Sequence, residues 1–248
     1  MMNLFNTILY QPLYNGLIGL IDIIPGGNIG FAVIILTIIV KIVLFPLSAK
    51  AIRTQIKIKD IEGDLNDLKK EHKDDREALG KAMLDLYREN KINPFAGVLL
   101  VLIQIPVIIA LYFVFSKAGF PEINTELLYS FIPVPEYVTT LFLGFIDLTL
   151  AKNALIALIA GVSQYYQMKF VMQKNKPVEK PEKERTPMDD IMKNMQFQMR
   201  YVMPVITFFI SYSLIAVIGL YWTVANIFAI VQEIYVQKKI KNPQESQS

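Results

Sequence analysis

The 248-residue sequence predicts an all-α polytopic membrane protein: a five-span helical bundle with a cytoplasmic helical hairpin and an amino-terminal interfacial helix. Three observations carry this reading. Apolar residues make up 53% of the chain and charged residues only 19%, where a soluble domain carries roughly 25% charged residues. The charges are also segregated. Asp22 is the only one between Met1 and Val40, and Ile92–Ser116, Asn153–Met168 and Tyr201–Gln232 have none; apolar runs of this order mark membrane spans. Finally, a five-span arrangement puts 22 of the 25 Lys and Arg on one face and two on the other. That bias places the amino terminus outside and the carboxyl terminus in the cytoplasm of a multi-pass membrane protein.

Residues 1–28 read as an amphipathic interfacial segment. Asn3, Thr7, Gln11 and Asn15 recur every four residues and share one helical face, as in a helix lying along the bilayer surface. A cleaved signal peptide is the rival, but the segment lacks a basic start and a small-residue cleavage site. Pro25-Gly26-Gly27-Asn28 breaks the chain. The first span is 29–47, interrupted by Lys41 and ended near Pro46. Residues 48–93 invert the composition, with eleven Lys/Arg and ten Asp/Glu. Ile61, Leu65, Leu68 and then Leu79, Met83, Leu86 follow the 4,3 spacing of a helical seam. With a polar turn at His72–Arg76, they predict an antiparallel hairpin outside the membrane.

The second span is 94–115 and contains Gln104 and Pro106. Residues 116–152 form an extracytoplasmic loop with an interfacial or partly embedded helix around Tyr137–Leu148, a sixth span there being the alternative. The third span is 153–171, followed by a polar, Pro- and Lys-bearing cytoplasmic loop at 172–200. Tyr201–Gln232 is 32 uncharged residues; as one helix it would be about 48 Å long against a ~30 Å hydrocarbon core. Lys193 and Arg200 flank one end and Lys238, Lys239 and Lys241 the other, so both ends prefer the same side. Two short spans follow, 201–218 and 219–237, with the turn near Ile218-Gly219 and a cytoplasmic tail at 238–248.

Most site chemistry is missing from the sequence. Zero cysteines remove disulfides, thiolates, zinc-finger ligation and iron–sulfur clusters. No Gly-x-x-x-x-Gly-Lys loop and no His-Glu-x-x-His occurs. The only histidine, His72, lies in the charged hairpin, and Asp22 and Asp147 fall outside the spans. The expectation is therefore no enzyme, no catalytic residue, no cofactor and no metal.

Polar groups inside apolar helices remain: Thr37, Lys41, Gln104, Ser163, Gln164, Gln167, Trp222, Asn226 and Gln232. Taken singly, such residues serve as hydrogen-bond links between helices. Lys41 differs, because it sits nine residues before Lys50, about 13 Å along a helix. Snorkelling over that distance is strained unless the bilayer is thin; the sharper reading is a cation facing a water-accessible cavity.

The run Thr37-Ile38-Ile39-Val40-Lys41-Ile42-Val43-Leu44-Phe45-Pro46-Leu47 resembles the first core span of the YidC/Oxa/Alb membrane insertases. Asn93-Pro94, Ile103-Gln104-Ile105-Pro106 and Leu111-Tyr112 resemble their second. Met203-Pro204-Val205-Ile206 and Gly219-Leu220-Tyr221-Trp222-Thr223-Val224-Ala225-Asn226 resemble the last two. Each motif is weak alone, but their order and spacing cover essentially the whole chain.

The resemblance implies five core spans around a hydrophilic groove, open to cytoplasm and lipid and closed outside. The family's basic groove residue matches Lys41, where most members carry Arg. Thr37 and Trp222 match positions of substrate contact, Trp222 replacing a common Tyr, and Gln104, Gln164, Gln167 and Asn226 are further groove candidates. A large extracytoplasmic domain, an additional amino-terminal span and a lipoprotein-type cysteine are expected to be missing. Implied partners are nascent membrane proteins and the lipid bilayer, with the ribosome and a Sec-type translocon as candidates and no specific nucleic-acid sequence. The rival from another class is a small-solute transporter or channel with Lys41 as an anion site. It predicts internal repeats and broken helices, and no repeat relates these spans. A purely structural subunit is the third reading, in which the charged hairpin has no evident use.

Overall fold

A computed structural model describes residues 2–72, 75–93, 96–117, 122–173, 194 and 197–241, with backbone alone at 2, 3, 76, 96–104, 116, 117, 172, 173 and 241. The described chain is mostly helical. It divides into two compact units, residues 1–43 with 105–231, and residues 44–104 with 232–248.

The first unit opens with α1 (Met2–Phe5), a π turn at Asn6–Tyr10, and α2 (Gln11–Ile23). Pro12 directly follows the π turn, and because Tyr10 and Gln11 keep helical backbone it interrupts the hydrogen-bond ladder of one continuous helical segment. The buried face of α2 is Tyr14, Leu17, Ile18 and Ile21, spaced at three and four residues, and it packs against α3 (Ile29–Val43). Asn15, the last member of the polar stripe, is only 2% exposed. Its Nδ2 donates to Gln11 O at 2.8 Å and to Leu127 O at 2.8 Å, and its Oδ1 accepts from Tyr129 N at 2.7 Å. Tyr14 Oη accepts from Asn124 N at 2.8 Å and Gln11 Nε2 donates to Leu127 O. Gln11 and Asn15, which periodicity assigns to a stripe along the bilayer surface, thus bind the segment around the 3₁₀ turn Thr125–Leu127.

The interfacial helix expected at Tyr137–Leu148 is absent. Instead the segment is extended, with a short antiparallel hairpin of β1 (Leu141–Phe142) and β2 (Ile146–Asp147). The physical reason lies in Val138-Thr139-Thr140, β-branched residues that favour extended backbone, and in partners that claim their ladder groups. Thr139 N donates to Gly27 O at 2.9 Å, Ile29 N to Thr139 O at 3.0 Å, and Asn28 Nδ2 to Leu141 O at 2.9 Å. Phe142 is buried over Gly30, where a Cβ would meet its ring at 2.2 Å. At the end of β2, Asp147 accepts from Thr149 Oγ1 at 2.7 Å and Thr149 N at 2.9 Å, and these bonds hold its carboxyl below the usual carboxylate range.

The remaining elements of this unit are the Ile105-onward part of α7 (Ala96–Lys117), α8 (Ala154–Gln173), a π turn at Gln198–Val202, α9 (Met203–Ser213) and the start of α10 (Ala216–Lys241). Helices α8 and α9 pack closely. The last turn expected at Ile218-Gly219 lies instead at Leu214-Ile215, where Leu214 has extended backbone (ψ 173°). Residues 148–152 fix it there: Lys152 N donates to Tyr212 O, Ala216 N to Leu150 O and Val217 N to Leu148 O, all within 3.0 Å. Gly219 is a packing residue rather than a turn residue, since a Cβ there would sit 2.7 Å from Ile156 Cγ2. One hydrophobic core joins Leu17, Val33, Val114, Leu148, Ile156 and Tyr221 across these elements.

Helix lengths vary widely. The 15 residues of α3 and 11 of α9 correspond to about 22 Å and 16 Å, short of a ~30 Å hydrocarbon core. Among the described residues, only Ala216–Ile240 is by itself a helix long and apolar enough to cross a membrane.

The second unit holds α4 (Phe45–Asp60), α5 (Glu62–Glu71), α6 (Arg76–Glu89), residues up to Gln104 of α7, and the end of α10. Its small core is Ile61, Leu65 and Ile92, with Ile58, Met83, Leu86 and Tyr87 packed against them. Four of the six seam residues expected from spacing are in it; Leu68 and Leu79 are not. Asp75 caps α6 by accepting from Glu77 N and Ala78 N at 3.0 and 2.9 Å. Lys73 and Asp74, part of the expected turn, lie outside the described residues.

Candidate functional site

The candidate residues rest on α3, α7, α8 and α10. On α3, Thr37 and Lys41 are one turn apart and share a face. Thr37 is 2% exposed and its Oγ1 donates to Val33 O at 2.6 Å, so its hydroxyl proton is spent within its own helix. Lys41 is partly exposed, on a helix that otherwise presents Ile35, Ile38, Ile39 and Ile42 to its surroundings. An ammonium on such a helix is tolerated where water or a polar partner reaches it.

On α10, Trp222 and Asn226 are likewise one turn apart. Trp222 is half-buried and packs against the main core. Asn226 is 4% exposed and its Nδ2 donates to Ser163 Oγ at 2.9 Å, while Ser163 Oγ donates to Ala160 O at 2.8 Å. This chain links α10 to α8 and gives Asn226 Nδ2 and Ser163 Oγ a partner each, as polar groups between packed helices require. Gln167 follows Ser163 by one turn, with Gln164 beside it; both are half-buried. The structure therefore joins Asn226 to α8 directly, and it does not join Trp222, Gln164 or Gln167 through hydrogen bonds among the described residues. Gln104 lies on α7, but its side chain is outside the described ones.

Sequence reasoning placed Ser163 and Gln232 among polar span residues without giving either a partner. Ser163 receives Asn226. In the second unit, Gln232 is 6% exposed and its Nε2 donates to Ser48 Oγ, with Phe45 and Tyr235 in edge contact at 5.8 Å nearby. Ser211 and Thr207 on α9 were missed altogether. Both are buried, and Ser211 Oγ has no hydrogen-bond partner. Their four-residue spacing on an apolar helix was the available signal. Among the described residues no cluster of His, Asp or Glu is arranged to hold a metal ion.

With this arrangement in view, comparison with known proteins decides the family. The family model described as 60Kd inner membrane protein matches residues 20–244. The chain belongs to this family. The member is 33% identical over 240 residues, 96% of its own length, to a protein of Ectopseudomonas mendocina named membrane protein insertase YidC. It is 35% identical over 221 residues to the protein of that name in Thiobacillus denitrificans. It spans about a third of the length of each of these, 35% and 34%. The Fusobacterium nucleatum protein of the same name is closer in size: 28% identity over 214 residues covers 86% of the family member and 88% of the relative. The resemblance read from the order of Lys41, Gln104, Met203-Pro204 and Trp222–Asn226 is borne out.

Proposed function

We propose that this protein inserts membrane proteins into the bacterial plasma membrane and assists their folding, through a hydrophilic groove and without nucleotide hydrolysis. The observation that carries the proposal is Lys41, one turn from buried Thr37 on an apolar helix, in a chain of the inner-membrane family whose named relatives are insertases.

The mechanism follows from the cost of moving charge through hydrocarbon, at least ~2.5–3.5 kcal/mol for a charged residue at the bilayer centre. Five spans would enclose a groove open to cytoplasm and lipid, lined by Lys41, Thr37, Trp222, Gln104, Gln164, Gln167 and Asn226. Lys41 attracts acidic residues of a client's translocated tail for a short time. Water around it keeps both charges solvated for part of the crossing, and short helices such as α3 and α9 favour a thinner bilayer. The client's apolar segment then moves into lipid, and its burial drives the step. No bond is made or broken, so the activity is transport and chaperoning rather than enzymatic. The partners are nascent membrane proteins and lipid, with ribosome and Sec-type translocon as further candidates.

The test is reconstitution into liposomes with a short-tailed client. Insertion that proceeds equally well in protein-free liposomes would remove the proposal. The orientation has its own test: the hairpin of α5 and α6 faces the cytoplasm. Gly80 is exposed with open space around it, and the chain has no cysteine, so Gly80→Cys gives a background-free probe. An impermeant thiol reagent should label it in inside-out vesicles and spare it in intact cells. Labelling from outside intact cells would reverse the topology.

A further inference from the structure

One face of the first unit carries chemistry that insertion does not use. Where the end of α8 meets the π turn before α9, three tyrosine rings and a phenylalanine form an array. Tyr165 lies 5.6 Å from Tyr166 and 6.1 Å from Tyr201, and Phe197 lies 5.0 Å from Tyr201. Tyr166, Phe197 and Tyr201 are 56%, 59% and 45% exposed, far more than core aromatics. A cation stands at each end. Lys169 Nζ is 6.0 Å from the Tyr166 ring, and the Arg200 guanidinium is 5.5 Å from the Tyr201 ring. Neither cation has a carboxylate partner among the described residues. Arg200 Nε is sealed from solvent with no acceptor, which leaves its two Nη nitrogens to make its hydrogen bonds. Next to this array, α8 and α9 expose Leu158, Val162, Val205 and Phe209.

Exposed tyrosines mark the boundary between headgroups and hydrocarbon. A guanidinium binds a phosphate through two parallel bonds, and a lysine adds a second, point-like charge. The apolar face beside them suits acyl chains. We infer that Arg200, Lys169 and the tyrosine array form a binding site for an anionic glycerophospholipid, whose phosphate sits on Arg200 and whose chains lie along α8 and α9. The site selects by headgroup charge, because a zwitterionic lipid brings its own cation to compete with Lys169. It goes beyond the insertion reading and does not depend on it.

The test uses the full chain in mild detergent, with native mass spectrometry counting retained lipids of identical acyl chains. Phosphatidylglycerol should be retained over phosphatidylcholine, with each cation near the surface contributing about fivefold. Arg200→Gln and Lys169→Gln should each lower that preference about fivefold. Arg200→Lys, which keeps the charge and gives up the bidentate fork, should fall between wild type and Arg200→Gln. If Arg200→Gln does not fold, Lys169→Gln and Arg200→Lys decide the matter. Added inorganic phosphate should leave retention unchanged. Equal retention of both lipids, or a preference untouched by the variants, would overturn the site, and displacement by inorganic phosphate would assign Arg200 to a free anion instead.

Discussion

Lys41→Ala should slow the insertion of clients with acidic translocated tails by roughly tenfold, equivalent to ~1.4 kcal/mol, the scale of one partly solvated charge pair. Neutral-tailed clients should lose little. The effect follows from where the cation sits: on α3, partly exposed, one turn from a threonine whose hydroxyl is already satisfied by Val33 O. A transient attraction needs charge rather than a particular donor geometry, so Lys41→Arg should retain activity. Replacing the tail carboxylates by amides should erase the difference between Lys41→Ala and wild type. The measurement is the initial rate of insertion in reconstituted liposomes, with folded protein matched between variants. Equal losses for acidic and neutral tails would return Lys41 to a structural role.

Gly27→Ala should cost far more in stability than its modest chemistry suggests, on the order of 3–5 kcal/mol, because it combines backbone strain with broken hydrogen bonds. Gly27 has φ +57°, and a Cβ on it would lie 1.9 Å from Tyr137 O. A left-handed residue with a side chain costs about 1–2 kcal/mol by itself. The clash adds to this by prising apart the pairing in which Thr139 N meets Gly27 O and Thr139 Oγ1 donates to Gly26 O at 2.7 Å. Gly26→Ala is the matched control, since φ is +76° there but nothing lies within 4 Å of the added carbon. It should show the strain alone. Thermal unfolding in detergent, read with the folded yield, separates the two; equal losses at both positions would show that the contact with Tyr137 carries no weight.

The helices of this protein were legible because burial and charge write themselves into composition. Apolar runs located α3, α7, α8, α9 and α10, and the 4,3 spacing of Ile61, Leu65, Met83 and Leu86 located the hairpin core. What spacing could not convey was the partner. Gln11 and Asn15 recur at the interval of a surface stripe whether they face lipid headgroups or the carbonyl of Leu127, more than a hundred residues away. Tyr137–Leu148 is as apolar as a membrane-surface helix, and only its β-branched residues hinted at the hairpin. Gly219 looked like a chain break because a glycine serves a turn and a close helix crossing equally well, and its crossing partner, Ile156, is remote in sequence. The candidate site divides along the same line. Thr37, Lys41, Trp222 and Asn226 stood out as polar or amphipathic residues in apolar helices, whereas the link from Asn226 to Ser163 depends on how α8 and α10 pack.

The attachment of Asn15 to Leu127 and Tyr129 also orders events in time. Its partners lie 112 and 114 residues downstream, and at ~5–20 residues per second a growing chain needs about 6–23 s to reach them. Until then Asn15, Gln11 and the hydroxyl of Tyr14 have no downstream acceptor or donor to meet, although α3 and the whole charged hairpin have already been made. Through that interval the apolar face of α2 already has α3 to pack against, whereas its polar edge stays hydrated until the 124–129 segment arrives. A nascent chain halted before Leu127 would expose that edge to protease, and one extended past Tyr129 would cover it.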